Sequence, residues 1–202
     1  MHIEFLVEEA SAEAALSNLA PAILGPDITF VVHPYNGKPD LLAKLPGRLR
    51  GYRSWLPADW RIVVLLDADE GDCLQLKARM EEVARASGLV TRSAADDGQF
   101  QVLNRLAVQE LEAWFLGDTA ALCAAYPRLS PNLGERPKYR NPDAIAGGTW
   151  EALERELQRA GYAEGGLAKI ATARAVSAHM RPELNRSHSF QVFRNGLLDL
   201  IK

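Results

Sequence analysis

The run Trp60–Leu66 constrains the fold more than any other part of the sequence. Its letters, WRIVVLL, form a nearly continuous apolar stretch that contains β-branched residues. Such a stretch is typical of a strand that is buried on both faces of a parallel sheet. Three further stretches have the residue pattern of a strand, namely His2–Val7, Ile28–His33 and Gln101–Val108.

Helical patterns alternate with these strands. Their apolar residues recur every three or four positions, and they cover Ser11–Leu24, Leu41–Trp55 and Asp72–Ser87. Strands that alternate with helices predict right-handed βαβ units and a Rossmann-like parallel sheet, so the fold class is α/β.

The composition changes in the second half of the chain. Arg128–Gly148 is rich in Pro, Gly, Asn and charge, which is typical of irregular structure. Helical stretches follow near Trp150–Ala160, Leu167–His179 and Ser189–Ile201. We therefore predict one compact domain, with an α/β core over residues 1–126 and an irregular segment and helices over 127–202 that pack on this core as an additional C-terminal helical region.

Charge and hydropathy exclude several classes of protein. The formal net charge is -3 and 48% of the residues are hydrophobic, so the chain can bury a core and has no overall basic field. Its apolar runs are too short to cross a bilayer, and its start is acidic where a secretory signal needs basic residues. We expect a cytoplasmic protein without a membrane anchor, in which the distant Cys73 and Cys123 stay reduced.

Pairs of acidic residues follow three of the predicted strands. They are Glu8 and Glu9, Asp67 and Asp69, and Glu110 and Glu112. Because the carboxyl ends of parallel strands meet at one edge of the sheet, these side chains should lie close together. On an extended segment Asp67 and Asp69 would point the same way, and with an acid from a neighbouring strand they would bind Mg²⁺ or Mn²⁺. The alternative is that the acids cap the helices that follow.

Other side chains are weaker candidates for a site at this edge. Glu110 is the best additional metal ligand, because its helix should begin at the edge. Lys38 follows Asn36-Gly37 and can reach a phosphate, and His33 ends a strand and can act as a proton shuttle. The alternatives are a solvated loop lysine and a structural histidine. The candidate nucleic-acid contacts are basic residues near Tyr139 and in the last helices, namely Arg136, Lys138, Arg140, Lys169 and Arg186.

Two short stretches, Val7–Glu13 and Leu66–Asp69, resemble the TOPRIM fold of topoisomerases, primases and nucleases of the OLD (overcoming lysogenization defect) type. The resemblance implies that Glu8, Asp67 and Asp69 bind Mg²⁺. The glycine that usually follows the first glutamate is replaced here by Glu9.

The whole chain resembles an uncharacterised bacterial family of TOPRIM-like proteins, often encoded beside an ABC/OLD-type ATPase. The matching stretches are EEASAEAAL, NGKPDLL, LLDADEGDC, ELEAWFLGD and NRSHSFQVF. This resemblance implies the fold and a metal site, and it implies a context of phage defence with an ATPase partner. From the acids at successive strand ends we hypothesise a Mg²⁺-dependent phosphodiesterase or nuclease that acts on nucleic acid. The alternative is a non-catalytic interaction or nucleotide-binding module of an ATPase-containing complex. A basic groove that leads to the acidic residues would favour the first hypothesis, and an exposed apolar patch on the helical half would favour the second.

Overall fold

Four parallel strands form the sheet at the centre of the protein. The structure is a computed structural model that describes residues 1–69, 71–96 and 98–202. The strands are β1 (His2–Val7), β2 (Thr29–Pro34), β3 (Trp60–Asp67) and β4 (Val102–Ala107). Their order is β2-β1-β3-β4, and each neighbouring pair is parallel. The α/β class and the parallel, Rossmann-like sheet that the sequence predicts are confirmed.

Three helices connect the strands and cover both faces of the sheet. They are α1 (Ala10–Leu24), α2 (Lys38–Trp55) and α3 (Cys73–Ala86). Because side chains alternate along a strand, β1 presents Phe5 and Val7 to α1, and Leu6 to α2. Asp72 caps α3, since its Oδ1 accepts the N–H of Leu74 at 2.8 Å.

The second half of the chain packs on the face of the sheet that α1 covers. Its helices are α4 (Glu112–Gly117), α5 (Thr119–Ala125), α6 (Thr149–Arg159), α7 (Lys169–Ser177) and α8 (His188–Leu200). One cluster of buried side chains joins Leu16 of α1 and Leu65 of β3 to Trp114, Val176 and Phe193 of these helices. The hydrophobic core therefore extends through both halves.

The irregular segment between α5 and α6 contains three short 3₁₀ turns, at Leu133–Glu135, Pro137–Tyr139 and Pro142–Ala144. Asp143 anchors it to the start of α8, because its carboxylate accepts the hydroxyls of Ser187 at 2.7 Å and Ser189 at 2.9 Å. Ser187 also caps α8 by accepting the N–H of Phe190 at 3.1 Å. Among the described residues, no helix is long and apolar enough to cross a membrane.

Candidate metal centre

Acidic side chains gather where the carboxyl ends of the strands meet. We call Glu8, Glu9, Asp67, Asp69, Glu110 and Glu112 the acidic cluster. Asp67, the last residue of β3, lies among protein atoms but keeps part of its surface open to solvent. Burial, and then the charges of Glu112, Glu8 and Glu9, raise the pKa of Asp67 well above its ordinary value. No hydrogen bond to its carboxyl oxygens is found within residues 1–69, 71–96 and 98–202.

Glu112 is the most buried member of the acidic cluster, with 2% of its surface exposed. It is the first residue of α4, which packs on the α1 side of the sheet. Burial raises the pKa of Glu112 to about 7, against the lowering effect of the Lys169 ammonium. The sequence pattern favoured Glu110 as the additional metal ligand. It included Glu112 only as a member of an acidic pair and did not predict that Glu112 is the buried one.

The side chain of Glu110 caps the start of α6. Its Oε2 accepts the hydroxyl of Thr149 and the backbone N–H of Trp150, both at 2.8 Å. The N-cap residue of α6 is Gly148, which has no side chain to accept those donors. Glu110 therefore lies at the predicted edge, but one of its oxygens caps a helix that begins 39 residues later in the chain.

The prediction that Asp67 and Asp69 point the same way is wrong. The strand ends at Asp67, and Asp69 adopts a left-handed backbone with φ of 52°. Its N–H bonds to the carbonyl of Gln109 at 2.6 Å, and Gln109 also has a positive φ, of 60°. The side chain of Asp69 is exposed and pairs with Lys38, the first residue of α2, at 2.5 Å. Two non-glycine residues in this conformation cost free energy, and such strain concentrates at functional sites.

Glu8 connects the two sides of the acidic cluster. Its Oε2 accepts the backbone N–H of Asp67 at 3.2 Å. Burial raises the pKa of Glu8, and the Asp69 charge adds to this, whereas the Asp67 N–H and the Lys38 ammonium oppose it. Glu8 therefore lies between Asp67, on the α1 side, and the pair of Asp69 with Lys38, on the α2 side.

Lys169 brings a positive charge to the acidic cluster. Its Nζ lies 3.9 Å from Glu9 and 5.5 Å from the centre of the Trp150 ring. Burial would lower the pKa of this ammonium, but the charges of Glu112, Glu9, Glu110 and Asp67 raise it. Lys169 was predicted to contact nucleic acid; its nearest charged partners are these carboxylates.

The carboxylate oxygens of the acidic cluster suit a divalent cation in chemical type and in number. Six carboxylates face the two ammonium groups of Lys38 and Lys169, and hard oxygen ligands are those that Mg²⁺ and Mn²⁺ prefer. Burial first, and then the neighbouring carboxylates, raise the pKa values of Asp67 and Glu112, so both groups favour a proton or a cation at this edge. Across the described part of the chain, no three acidic, histidine or cysteine side chains already form a coordination shell. Binding would therefore need side-chain rotation, most simply of Asp69 away from Lys38.

The structure does not bring the other candidate residues to the acidic cluster. His33 bonds to Glu4 at 2.5 Å, and Glu4 also accepts the hydroxyl of Tyr52 at 2.7 Å. The backbone of His33 lies opposite Leu6 near the end of β1, but its ring is directed back along the sheet to Glu4, which stands four residues before Glu8. The proposed proton shuttle thus has a structural partner elsewhere.

The predicted nucleic-acid contacts are divided among several places. Arg136 pairs with Glu156 at 2.8 Å, and Lys138 lies 5.7 Å from the Tyr139 ring. Arg140 and Arg186 line a depression of their own. A single basic groove that leads to the acidic cluster is not formed by these five residues.

The fold and the site together define an α/β protein whose parallel sheet collects carboxylates at one edge. The chain belongs to the DUF4276 family, a domain of unknown function, whose profile matches residues 7–198. Comparisons with curated proteins and with solved structures find no match.

Proposed function

We propose that this protein is a TOPRIM-like phosphodiesterase that uses Mg²⁺ or Mn²⁺ to cleave nucleic acid. The observation that supports the proposal is the excess of carboxylates at the strand ends, with the pKa values of Asp67 and Glu112 both raised. Structural ion pairs balance their charges, whereas this cluster needs protons or a cation. A role in phage defence and an ATPase partner rest on the sequence resemblance alone.

Asp67, Glu112 and Glu8 would hold the cation, and Asp69 would join them after leaving Lys38. When bound, a divalent metal supplies Lewis-acid stabilisation of a phosphate and a more acidic water. In the metal-free protein burial raises the pKa of Glu112 to about 7, so a cation that binds this carboxylate would displace its proton near neutral pH. Lys38 would then be free to orient the phosphate.

Calorimetry of Mg²⁺ and Mn²⁺ binding tests the metal site. We expect Asp67→Asn to abolish binding that the wild-type protein shows. The matched control is Asp27→Asn, which makes the same change at an exposed position after α1, at the opposite edge of the sheet. A wild-type protein that binds neither ion would refute the proposed metal site.

Cleavage assays follow if the metal binds. Single- and double-stranded DNA and RNA are incubated with wild-type protein, with Asp67→Asn and with wild-type protein in EDTA. We expect products only from the wild-type protein with metal. Equal cleavage by Asp67→Asn would show that the activity comes from a contaminant or from another site.

The second candidate is an interaction or nucleotide-binding module of an ATPase-containing complex. Leu74 favours it, because 81% of this apolar side chain is exposed at the start of α3, the helix that follows the acidic edge. Under this candidate Leu74→Asp weakens binding of the ABC/OLD-type ATPase partner that the sequence resemblance implies, and Asp67→Asn does not. A binding assay with the purified ATPase separates the two candidates.

A further inference from the structure

A depression of about 480 Å³ lies between the start of α5, the irregular segment and the loop that joins α7 to α8. We call it the arginine pocket; its lining residues are Thr119, Pro131, Gly134, Glu135, Arg140 and Arg186. The pocket is separate from the acidic cluster, since none of its residues belongs to that cluster.

Within the described residues, the two guanidinium groups in the arginine pocket have no carboxylate partner at ion-pair distance. Neither Arg140 nor Arg186 forms an ion pair within 4.0 Å anywhere in the described ranges of the chain. Other arginines near the surface do pair, as Arg136 does with Glu156 at 2.8 Å. The pocket therefore brings two guanidinium groups together against the single carboxylate of Glu135.

The backbone around Arg186 is held in place. Its own N–H bonds to the carbonyl of Gly117 at 3.0 Å, and the buried Asn185 donates to the carbonyl of Trp114 at 2.7 Å. On the other side, Ser187 is fully buried and bonds to Asp143 at 2.7 Å. A donor group on such a fixed backbone loses little freedom when a ligand binds.

Gly134 allows polar groups to converge in the arginine pocket. A Cβ atom at this position would lie 2.6 Å from Nη2 of Arg186 and 2.6 Å from Oγ1 of Thr119. The missing side chain therefore leaves the space in which a guanidinium fork and a hydroxyl approach each other. In addition, Nη1 of Arg186 donates to the Gly134 carbonyl at 3.1 Å, which fixes the orientation of the guanidinium group.

We propose that the arginine pocket binds a phosphate group. Guanidinium groups match phosphate oxygens with paired hydrogen bonds, and the Thr119 hydroxyl adds a further donor. Glu135, which also lines the pocket, opposes an anion and should weaken its binding.

The phosphate would belong to a nucleic-acid strand, and this part of the inference rests on the proposed function. Helix α4 leads from Glu112 in the acidic cluster to Gly117, whose carbonyl holds the N–H of Arg186. These six residues span about 8 Å along the helix axis. Because α4 is buried, a strand would follow the surface above it, over at least two or three nucleotides at the duplex rise of about 3.4 Å each. The arginine pocket would thus hold the strand beside the metal centre.

Binding measurements without metal test the arginine pocket. Inorganic phosphate is titrated by calorimetry, and a labelled single-stranded oligonucleotide by fluorescence anisotropy, in EDTA at low salt. We expect Arg140→Gln and Arg186→Gln each to weaken binding of both ligands by about tenfold or more, and Glu135→Gln to strengthen it. The control is Arg79→Gln, which removes one charge from an exposed position of α3.

A second kind of variant tests the arginine pocket independently, in case an arginine variant does not fold. Gly134 does not have a positive φ, so the backbone accepts alanine. The methyl group displaces the end of the Arg186 side chain and requires Thr119, whose Oγ1 and Cγ2 lie 2.6 and 3.1 Å away, to shift. We expect a circular dichroism spectrum like that of the wild type and weaker phosphate binding. Comparing a 5′-phosphorylated oligonucleotide with its 5′-hydroxyl form distinguishes a terminal from an internal phosphate, and specific binding of either supports the site.

The inference is overturned if the wild-type protein binds neither inorganic phosphate nor the oligonucleotide, or if the arginine and glycine variants bind as the wild type does. Because EDTA is present throughout, failure of the metal centre leaves these results unchanged. Conversely, the metal calorimetry on Asp67→Asn does not depend on the arginine pocket.

Discussion

Two glutamates that stand two positions apart, Glu110 and Glu112, have different environments. Glu112 is buried next to Asp67, whereas Glu110 accepts hydrogen bonds from the first turn of α6. The local sequence does not predict which of the two glutamates is buried, since both follow β4. The difference depends on Gly148, far along the chain, which starts α6 without a capping side chain.

Glu112 should make the metal-free protein less stable as the pH rises. Its pKa is about 7 in the folded state against 4.5 ordinarily, so the folded protein binds the proton more tightly. This contribution is fully present below about pH 4.5 and is lost as the pH rises through about 7. At 1.36 kcal/mol per pKa unit, the loss is on the order of 3 kcal/mol.

Urea denaturation in EDTA between about pH 5 and pH 8 measures this effect. We expect the decline in the free energy of unfolding to be smaller in Glu112→Gln by about this amount, whereas the raised pKa values of Asp67 and Glu8 keep the rest of the decline in place. Glu183→Gln, at an exposed position in the α7–α8 loop, should leave the decline as in the wild type. Parallel pH dependence in wild type and Glu112→Gln would contradict the assignment.

Lys169 should compete with a metal ion for the acidic cluster. Its ammonium group interacts with Glu112, Glu9, Glu110 and Asp67, which are the charges that would attract a cation. We expect Lys169→Met to bind Mn²⁺ more tightly, by about tenfold, an effect equivalent to about 1.4 kcal/mol. Calorimetry compares it with Lys44→Met, which removes an exposed ammonium from α2. Weaker binding by Lys169→Met would mean that Lys169 supports the metal site.

At the scale of elements, the sequence pattern predicts most of the fold. The four predicted strands and the helices between them lie within a few residues of their observed bounds, because apolar periodicity and local capping act within each element. Asp69 shows where this reasoning fails. Its direction depends on a bridge to Gln109, which stands on another part of the chain and cannot be derived from a two-residue spacing.

Glu110 provides a prediction for α6. We expect Glu110→Ala to lower the free energy of unfolding by about 1–2 kcal/mol, because the donors of Thr149 and Trp150 lose their acceptor. The comparison is Asp72→Ala, which removes the corresponding acceptor from the first turn of α3 and should also lower the free energy of unfolding.

Metal calorimetry on Glu110→Ala decides between the two roles of this residue. If Glu110 is a capping residue, Mn²⁺ binding should stay within a few-fold of the wild-type value. Complete loss of binding in a variant that is still folded would instead make Glu110 a metal ligand, as the sequence analysis predicts.

At the scale of the whole molecule, the division into residues 1–126 and 127–202 does not coincide with a break in the core. Trp114 of α4 contacts the rings of Phe190 and Phe193 in α8, at centroid distances of 5.1 and 4.9 Å. In the same core cluster, α1 packs on α7. The acidic cluster depends on the packing of α7 on α1, because Lys169 of α7 lies among carboxylates at the ends of β1, β3 and β4.

The protein should therefore unfold as one unit, and Asp143 tests this. Its carboxylate holds the start of α8 through Ser187 and Ser189. Three hydrogen bonds to a charged acceptor are lost in Asp143→Ala, so we expect a destabilisation of about 3 kcal/mol or more. The control Asp27→Ala changes an exposed loop and should have little effect.

Two reporter proteins follow the unfolding of the sheet and of the helices that pack on it in urea. One keeps only Trp60, at the start of β3, and the other keeps only Trp114, in α4. In a cooperative protein, Asp143→Ala lowers both fluorescence midpoints equally, although Asp143 lies in the second half. If the Trp114 midpoint falls while the Trp60 midpoint stays, the sheet folds independently of the helices. Lys169 could then leave the acidic cluster while the strand-end carboxylates stay in place, and metal binding would be coupled to docking of the helical half.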